Sequence, residues 1–234
     1  MSKFLFKKFT IYQDNVGMKV GTDSIILGSW IKIKNKYKHI LDIGSGNGLL
    51  SLMMAQKISK SLITAVEIDT NACIQAKINI SMCRWADRIE LININANLLN
   101  TNKMYDLIIS NPPYYINSQQ SDIKSRNRAR HQVDLTSDEL VKIWVKNGNN
   151  NADLACVYPI EESEKIINHV TLVGYYLEDY LEVRSHHNSD TSRAYMLFSK
   201  HKTKIIKSEL CIHKEDRSYS EEYKALTKDF YLAH

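Results

Sequence analysis

Asn111-Pro112-Pro113-Tyr114 is a run of residues able to activate a weak nucleophile. An exocyclic amine conjugated to a purine ring shares its lone pair with the ring and attacks poorly. The side-chain oxygen of Asn111 and the carbonyl of Pro112 can each accept one amine proton. That pulls the nitrogen toward tetrahedral geometry, with its lone pair aimed at the methyl group of a sulfonium. No strong base is needed, because the nitrogen becomes acidic only as the methyl arrives. Pro112 and Pro113 hold the backbone so that the acceptors are fixed in advance. Tyr114 offers a face on which a flipped planar base can stack. A bare proline turn at a strand end is the competing reading, and the asparagine before it and tyrosine after it argue against that.

A second segment, Leu41-Asp42-Ile43-Gly44-Ser45-Gly46-Asn47-Gly48, is a glycine-rich turn between an apolar strand and a helix. Glycine is needed where backbone turns sharply and approaches a ligand closely. Nucleotide and dinucleotide enzymes share such turns, so the segment alone does not name a ligand. Glu67 adds to it: about 20 residues on, at the end of the next strand, a carboxylate can accept both hydroxyl protons of a ribose. The G-x-G-x-G spacing lacks the third glycine of the dinucleotide pattern, which argues against a nicotinamide cofactor.

These residues need a scaffold, and from Tyr37 onward short apolar runs alternate with helix-period segments, the pattern of βαβ units around a parallel sheet. Strands are expected at His39 to Ile43, Leu62 to Ile68, Ile89 to Asn93, Asp106 to Ser110 and Asp153 to Tyr158. Helices are expected at Thr22 to Ile33, Gly48 to Ile58, Thr70 to Cys83, from a capping box at Thr136 and Glu139, and at Glu161 to Val173. Leu177 to Val183 and Arg193 to Ser199 suit an antiparallel pair, and Ser208 to His213 an edge strand. Ser218 and Glu221 repeat the capping-box spacing before a last helix, Glu221 to Leu232. Phe9 to Tyr12 reads as a short strand, and the asparagines around 147–151 as a turn. The expected organisation is one domain over residues 1–234, with an extension at 1–38, a catalytic core at 39–200 and a closing strand and helix at 201–234.

The chain has 234 residues, 44% hydrophobic and 24% charged, which excludes neither a large core nor an ordinary globular class. No apolar run approaches the roughly 18 residues of a membrane span, and Met1 to Lys8 lacks the form of a secretory signal; a cytoplasmic protein is expected. Cys73, Cys83, Cys156 and Cys211 are too widely spaced for a metal or redox motif, and His186-His187 reads as a surface loop, so no metal is expected. The net charge of +5 is concentrated in lysines before Ile40, in Lys124 to His131, and in Lys200 to Lys207. Converging in space, such clusters would attract RNA. Arg126, Arg128 and Arg130 follow the Asn-Pro-Pro-Tyr turn closely enough to meet phosphates beside a flipped base.

Asn111 to Tyr114, together with Asp42 to Gly48 and Glu67, resembles the Rossmann-like S-adenosylmethionine-dependent amino methyltransferases. The resemblance implies an α/β fold with a mostly parallel seven-stranded sheet, an antiparallel last strand and helices on both faces. Phe9-Thr10, Gln13-Asp14, Met18 to Asp23, Leu27-Gly28, Trp30, Arg126, Ala129-Arg130 and the tail Tyr219 to Leu232 narrow it to the bacterial tRNA1(Val) adenine-37-N6 methyltransferase family, over nearly the whole chain. It implies S-adenosyl-L-methionine as cofactor, bounded by Asp42, Gly44 and Gly46, with Glu67 on its ribose, Thr22 and Asp23 near its methionine end and Asn111 beside its methyl group. Asn97 stands where such enzymes carry an acidic residue facing the cofactor's adenine amine. Its amide oxygen can accept the same hydrogen bond when correctly oriented, with weaker affinity. The implied partner is tRNA and the implied state a monomer. The same turn could serve an rRNA base or a protein glutamine, although glutamine-modifying enzymes carry a helical domain ahead of the core and about 40 residues are too few for one.

Overall fold

Ile40 and Leu41 point to opposite faces of one strand, and Leu107 and Ile108 do the same on its neighbour, so both faces of the sheet have to be covered. The computed structural model describes residues 2–14, 19–113 and 135–232. A short hairpin of β1 (Lys3–Leu5) and β2 (Thr10–Tyr12) leads to α1 (Thr22–Trp30). Then follow β3 (His39–Ile43), α2 (Leu49–Lys57), β4 (Leu62–Glu67), α3 (Thr70–Ser81), β5 (Ile89–Asn93) and β6 (Tyr105–Ser110). After residue 135 come α4 (Ser137–Asn147), β7 (Gly148–Pro159), α5 (Ile160–Leu172), β8 (Tyr176–Arg184), β9 (Thr191–Ser199), β10 (Ile206–Cys211) and α6 (Glu221–Thr227).

The main sheet has eight strands in the order β10-β8-β9-β7-β6-β3-β4-β5. All neighbours pair in parallel except β9, which is antiparallel to both β7 and β8. On one face Ile26 and Leu27 of α1, Met53 of α2 and Tyr223 of α6 cover Ile40, Leu107 and Ile109. On the other, Leu140 and Trp144 of α4 and Ile166 of α5 cover Leu41, Ile108 and Leu154. Burying large side chains in this way stabilises the layers by about 1.5–3 kcal/mol each. Among the described residues no helix is long and apolar enough to cross a membrane.

The architecture is the expected α/β class, with corrections of detail. The sheet has eight strands rather than seven, and its antiparallel strand is not the last: β10 follows β9 and adds to the outer edge of β8, running with it. The asparagines at 149–151 belong to β7, because Gly148 already pairs with Tyr105 across a register shift. α1 stops at Trp30 instead of reaching Ile33. There the Lys57 ammonium donates to the carbonyls of Gly28 (3.0 Å), Ser29 (2.5 Å) and Ile31, a cation closing a helix carboxyl end. Burial pushes the pKa of Lys57 down to about 8. The last helix is capped by Ser220, whose hydroxyl accepts from the Tyr223 amide at 3.0 Å, rather than by Ser218, and ends at Thr227.

Candidate active site

Four neighbouring strands, β6, β3, β4 and β5, deliver the expected site residues to the same carboxyl edge of the sheet, where open α/β sheets bind ligands. The cleft there has a volume of about 250 Å³. Gly44 and Gly46 follow β3 in left-handed backbone (φ 68° and 56°), and both line the cleft. A Cβ on either would meet no protein atom within 4 Å. It would project into open space, so these two glycines leave room for a ligand to touch backbone.

Glu67 ends β4 and is 7% exposed. One carboxylate oxygen accepts from the Gly46 amide at 2.7 Å and the other from the Asp69 amide at 2.8 Å. The carboxylate is thereby clamped to the glycine turn, and each oxygen keeps a further lone pair for a hydroxyl donor. Asp69 also caps α3 by accepting from Ala72 at 2.7 Å. Beyond β5, Asn95, Ala96 and Asn97 form the next part of the wall, opposed by Leu135 before α4.

Asn111 follows β6 directly. Its Nδ2 donates to Ser24 Oγ of α1 at 2.9 Å, while its Oδ1 is buried without a hydrogen-bond partner among the described residues. A buried amide oxygen left unpaired is costly, on the order of 1–3 kcal/mol. The arrangement is that of an acceptor held ready for a donor brought from outside. Pro112 and Pro113 continue the wall.

Residues 19–128 match the family model described as Methyltransferase small domain. A protein of Trichodesmium erythraeum named tRNA1(Val) (adenine(37)-N6)-methyltransferase is 40% identical, over 99% of this chain and 98% of its own. One of the same name from Pseudoalteromonas translucida is 38% identical, over 99% of both. The chain belongs to the tRNA1(Val) (adenine(37)-N6)-methyltransferase family. In fold it is also similar to a predicted O-methyltransferase from Agrobacterium tumefaciens (TM-score 0.69, 14% identity, 91% of this chain and 99% of that one). P. horikoshii TYW2 in complex with MeSAdo is a further fold neighbour (TM-score 0.60, 14% identity, 85% and 70%).

Within this family member, Gly44, Gly46, Glu67, Asn97, Asn111, Pro112 and Pro113 come together around one cleft. Three other expected site residues stand back from the cleft wall. Asp42 is fully buried beneath the glycine turn, where its Oδ2 accepts from Ser51 Oγ at 2.6 Å, and burial pushes its pKa up to about 7. Thr22 is exposed at the start of α1. Asp23 is turned to β9, paired with Arg193 at 3.0 Å and accepting from Tyr195 at 3.2 Å. Tyr114, Arg126, Arg128 and Arg130 lie outside the described residues. Among the described residues no group of three or more His, Cys, Asp or Glu side chains could hold a metal ion. Sequence reasoning missed Ser24 and Glu139. Ser24 sits beside Thr22 and Asp23, and Glu139 was visible only as a helix cap.

Proposed function

We infer that the protein methylates the exocyclic N6 amine of adenosine 37 in tRNA1(Val), the substrate named for its relatives, with S-adenosyl-L-methionine as methyl donor. The observation that carries this reading is the buried Oδ1 of Asn111, without a hydrogen-bond partner among the described residues, on a residue that lines the same cleft as Gly44 and Gly46.

When bound, S-adenosylmethionine supplies an electrophilic methyl group. Gly44 and Gly46 admit its chain against the backbone. Glu67 accepts the ribose hydroxyls, its two oxygens already aimed by the Gly46 and Asp69 amides. Ile68, Ile94 and Leu135 give apolar surface for the adenine, with Asn97 at its edge. Thr22 stands at the head of α1 towards the methionine end, Asp23 ties that helix start to Arg193 and Tyr195 of β9, and Asp42 supports the turn from beneath.

At the reacting nitrogen, Asn111 Oδ1 and the Pro112 carbonyl each accept one amine proton. Ser24 holds the other end of the Asn111 amide, so the acceptor needs no rearrangement as charge develops. The new N–CH3 bond would form as the S–CH3 bond breaks, leaving the neutral thioether S-adenosylhomocysteine, and the cationic, strongly acidic nitrogen would then lose one proton past Asn111 and Pro112 to solvent water. Tyr114 stacks the flipped base, and Arg126, Arg128 and Arg130 hold the flanking phosphates. The enzyme works as a single-domain monomer on cytoplasmic tRNA.

The test is transfer of labelled methyl groups to tRNA lacking the modification and, in parallel, to ribosomal RNA and protein extract. Label is expected in tRNA1(Val) alone. Asn111→Ala is expected to bind S-adenosylhomocysteine normally while the single-turnover rate falls by on the order of a hundredfold or more. Label confined to ribosomal RNA or protein, or an unchanged rate in the variant, overturns the reading.

A further inference from the structure

Among the described residues Asn97 is one of three asparagines that line the cleft, with Asn95 and Asn111, and its orientation is dictated from outside. Its Nδ2 lies 2.9 Å from Oε1 of Glu139, on the first turn of α4. A carboxylate only accepts, so the amide must offer its NH2 to Glu139, which leaves Oδ1 as the end free to face the cleft. Glu139 cannot easily turn away. Its Oε2 accepts from the Thr136 amide at 2.8 Å and from the Thr136 hydroxyl at 2.9 Å, and the Glu139 amide donates back to that hydroxyl at 3.2 Å. The Asn97 backbone is pinned as well, its amide donating to Asn95 Oδ1 at 2.9 Å. Glu139 does not itself line the cleft, whereas Asn97 does, next to the apolar side chains of Ile68, Ile94 and Leu135.

We propose that Glu139 is a positioning residue for base recognition: by holding the NH2 of Asn97 it presents an acceptor to the cleft and makes the site select a 6-amino purine over a 6-oxo purine in the cofactor. The proposal rests on the reading above that the adenine of S-adenosylmethionine lies along this part of the wall. An adenine amine donates to the Asn97 oxygen. A hypoxanthine at the same place sets a carbonyl against that oxygen and is rejected.

The same capping box starts the helix that follows residues 114–134, so one carboxylate serves both a helix terminus and a ligand contact. Glu139→Gln separates the two roles. Glutamine is the accepted alternative at this capping position, and with its oxygen kept by the Thr136 amide it turns an NH2 toward Asn97. The Asn97 amide must then flip, offering its own NH2 to the cleft.

The readout is calorimetric affinity for S-adenosylhomocysteine and S-inosylhomocysteine, with thermal midpoints measured alongside. The wild-type protein is expected to prefer the adenosyl ligand by about tenfold or more. In Glu139→Gln the preference is expected to vanish or invert, with a midpoint within about 3 °C of wild type. The double variant Asn97→Asp/Glu139→Gln is expected to restore it, because a carboxylate at position 97 presents an acceptor whichever way it is turned. A wild-type preference ratio in a folded Glu139→Gln protein, or no restoration in the double variant, overturns the proposal. Failure of the wild-type protein to bind S-adenosylhomocysteine at all would instead overturn the cofactor reading on which it rests.

Discussion

Asp42 lies buried next to the glycine turn and not on the wall of the cleft. Its carboxyl is fully buried, one oxygen bonded to Ser51 and the other without a partner among the described residues. Burial raises its pKa from an ordinary 3.8 to about 7, against the lowering effect of the Ser51 hydroxyl and amide, with Glu67 nearby adding to the rise. The sign of the linkage follows. Between pH 4 and 7 the folded protein keeps a proton that the unfolded chain has lost, so this group's contribution to stability is full below the unfolded value. It falls as pH rises through the folded one and is flat above. The slope is on the order of 1 kcal/mol per pH unit. Asn retains an acceptor for Ser51 and cannot ionise. The gap in urea midpoint between wild type and Asp42→Asn should therefore shift against the wild type from pH 5 to pH 7 and then level off. A pH-independent gap would mean that Asp42 is ionised throughout. At this scale the gathering of Gly44, Gly46, Glu67 and Asn111 at one cleft was legible, because each is a residue type with few substitutes at a strand end. Ser24 and Glu139 were not. Their parts depend on where α1 and α4 cross the sheet, and only tertiary packing decides that.

Among the elements, β5 was legible to the residue, since Ile89–Asn93 is short, bounded and apolar. β7 was not. The three asparagines at 149–151 disfavour strand, yet the chain stays extended through them to reach the Tyr105–Gly148 pair, with Asn149 Nδ2 donating to Asp106 Oδ1 at 2.6 Å. Tertiary pairing overrode local preference. α3 carries a further tie that no local pattern announces. Asn79, 1% exposed, accepts from the Tyr12 amide at 2.9 Å and donates to the Tyr12 carbonyl at 3.0 Å and to the Asn47 carbonyl at 2.9 Å. One amide thus joins the amino-terminal hairpin to the glycine turn. Asn79→Ala strands three backbone groups in the interior. It is expected to lower unfolding free energy by about 2–3 kcal/mol and to weaken S-adenosylhomocysteine binding, while Asn79→Asp keeps only the bond from Tyr12. Urea unfolding and calorimetry on the same preparations would check both, and an alanine variant with wild-type stability would show the clamp to be idle.

Across the described residues, lysines from the first and last basic clusters gather at one edge of the sheet, where carboxylates and carbonyls hold them. Lys34 and Lys36 turn to the buried Asp153 at 2.9 and 2.8 Å, Lys34 also to Glu178 at 2.5 Å, and Lys32 to Asp179 at 2.9 Å. Lys200 donates to the Gly148 carbonyl at 2.7 Å. All of these lie at the amino ends of the parallel strands, the edge away from Asn111. On the proposed function, attraction of tRNA to the cleft edge is therefore expected from other cations, Arg126 and Arg130 among them. Neutralising Arg126 and Arg130 together should weaken tRNA binding and reduce its salt dependence by roughly one counterion per lost phosphate contact, whereas Lys34→Ala should leave the salt slope unchanged. Filter binding across a salt series separates the two, and equal slopes in wild type and the arginine variant would remove those arginines from the interface. The reversed strand has a consequence of another kind, for the order in which the chain can be assembled. β9 fills the gap between β7 and β8, so as synthesis proceeds from the amino terminus the strands β3 to β7 can pair among themselves well before β9 emerges. Until Ser199 has left the ribosome, β7 holds the margin of a half-built sheet, its apolar residues from Ala152 to Tyr158 unpaired on that side. Such a margin invites edge-to-edge association between nascent chains, and the arrival of a single late hairpin closes it.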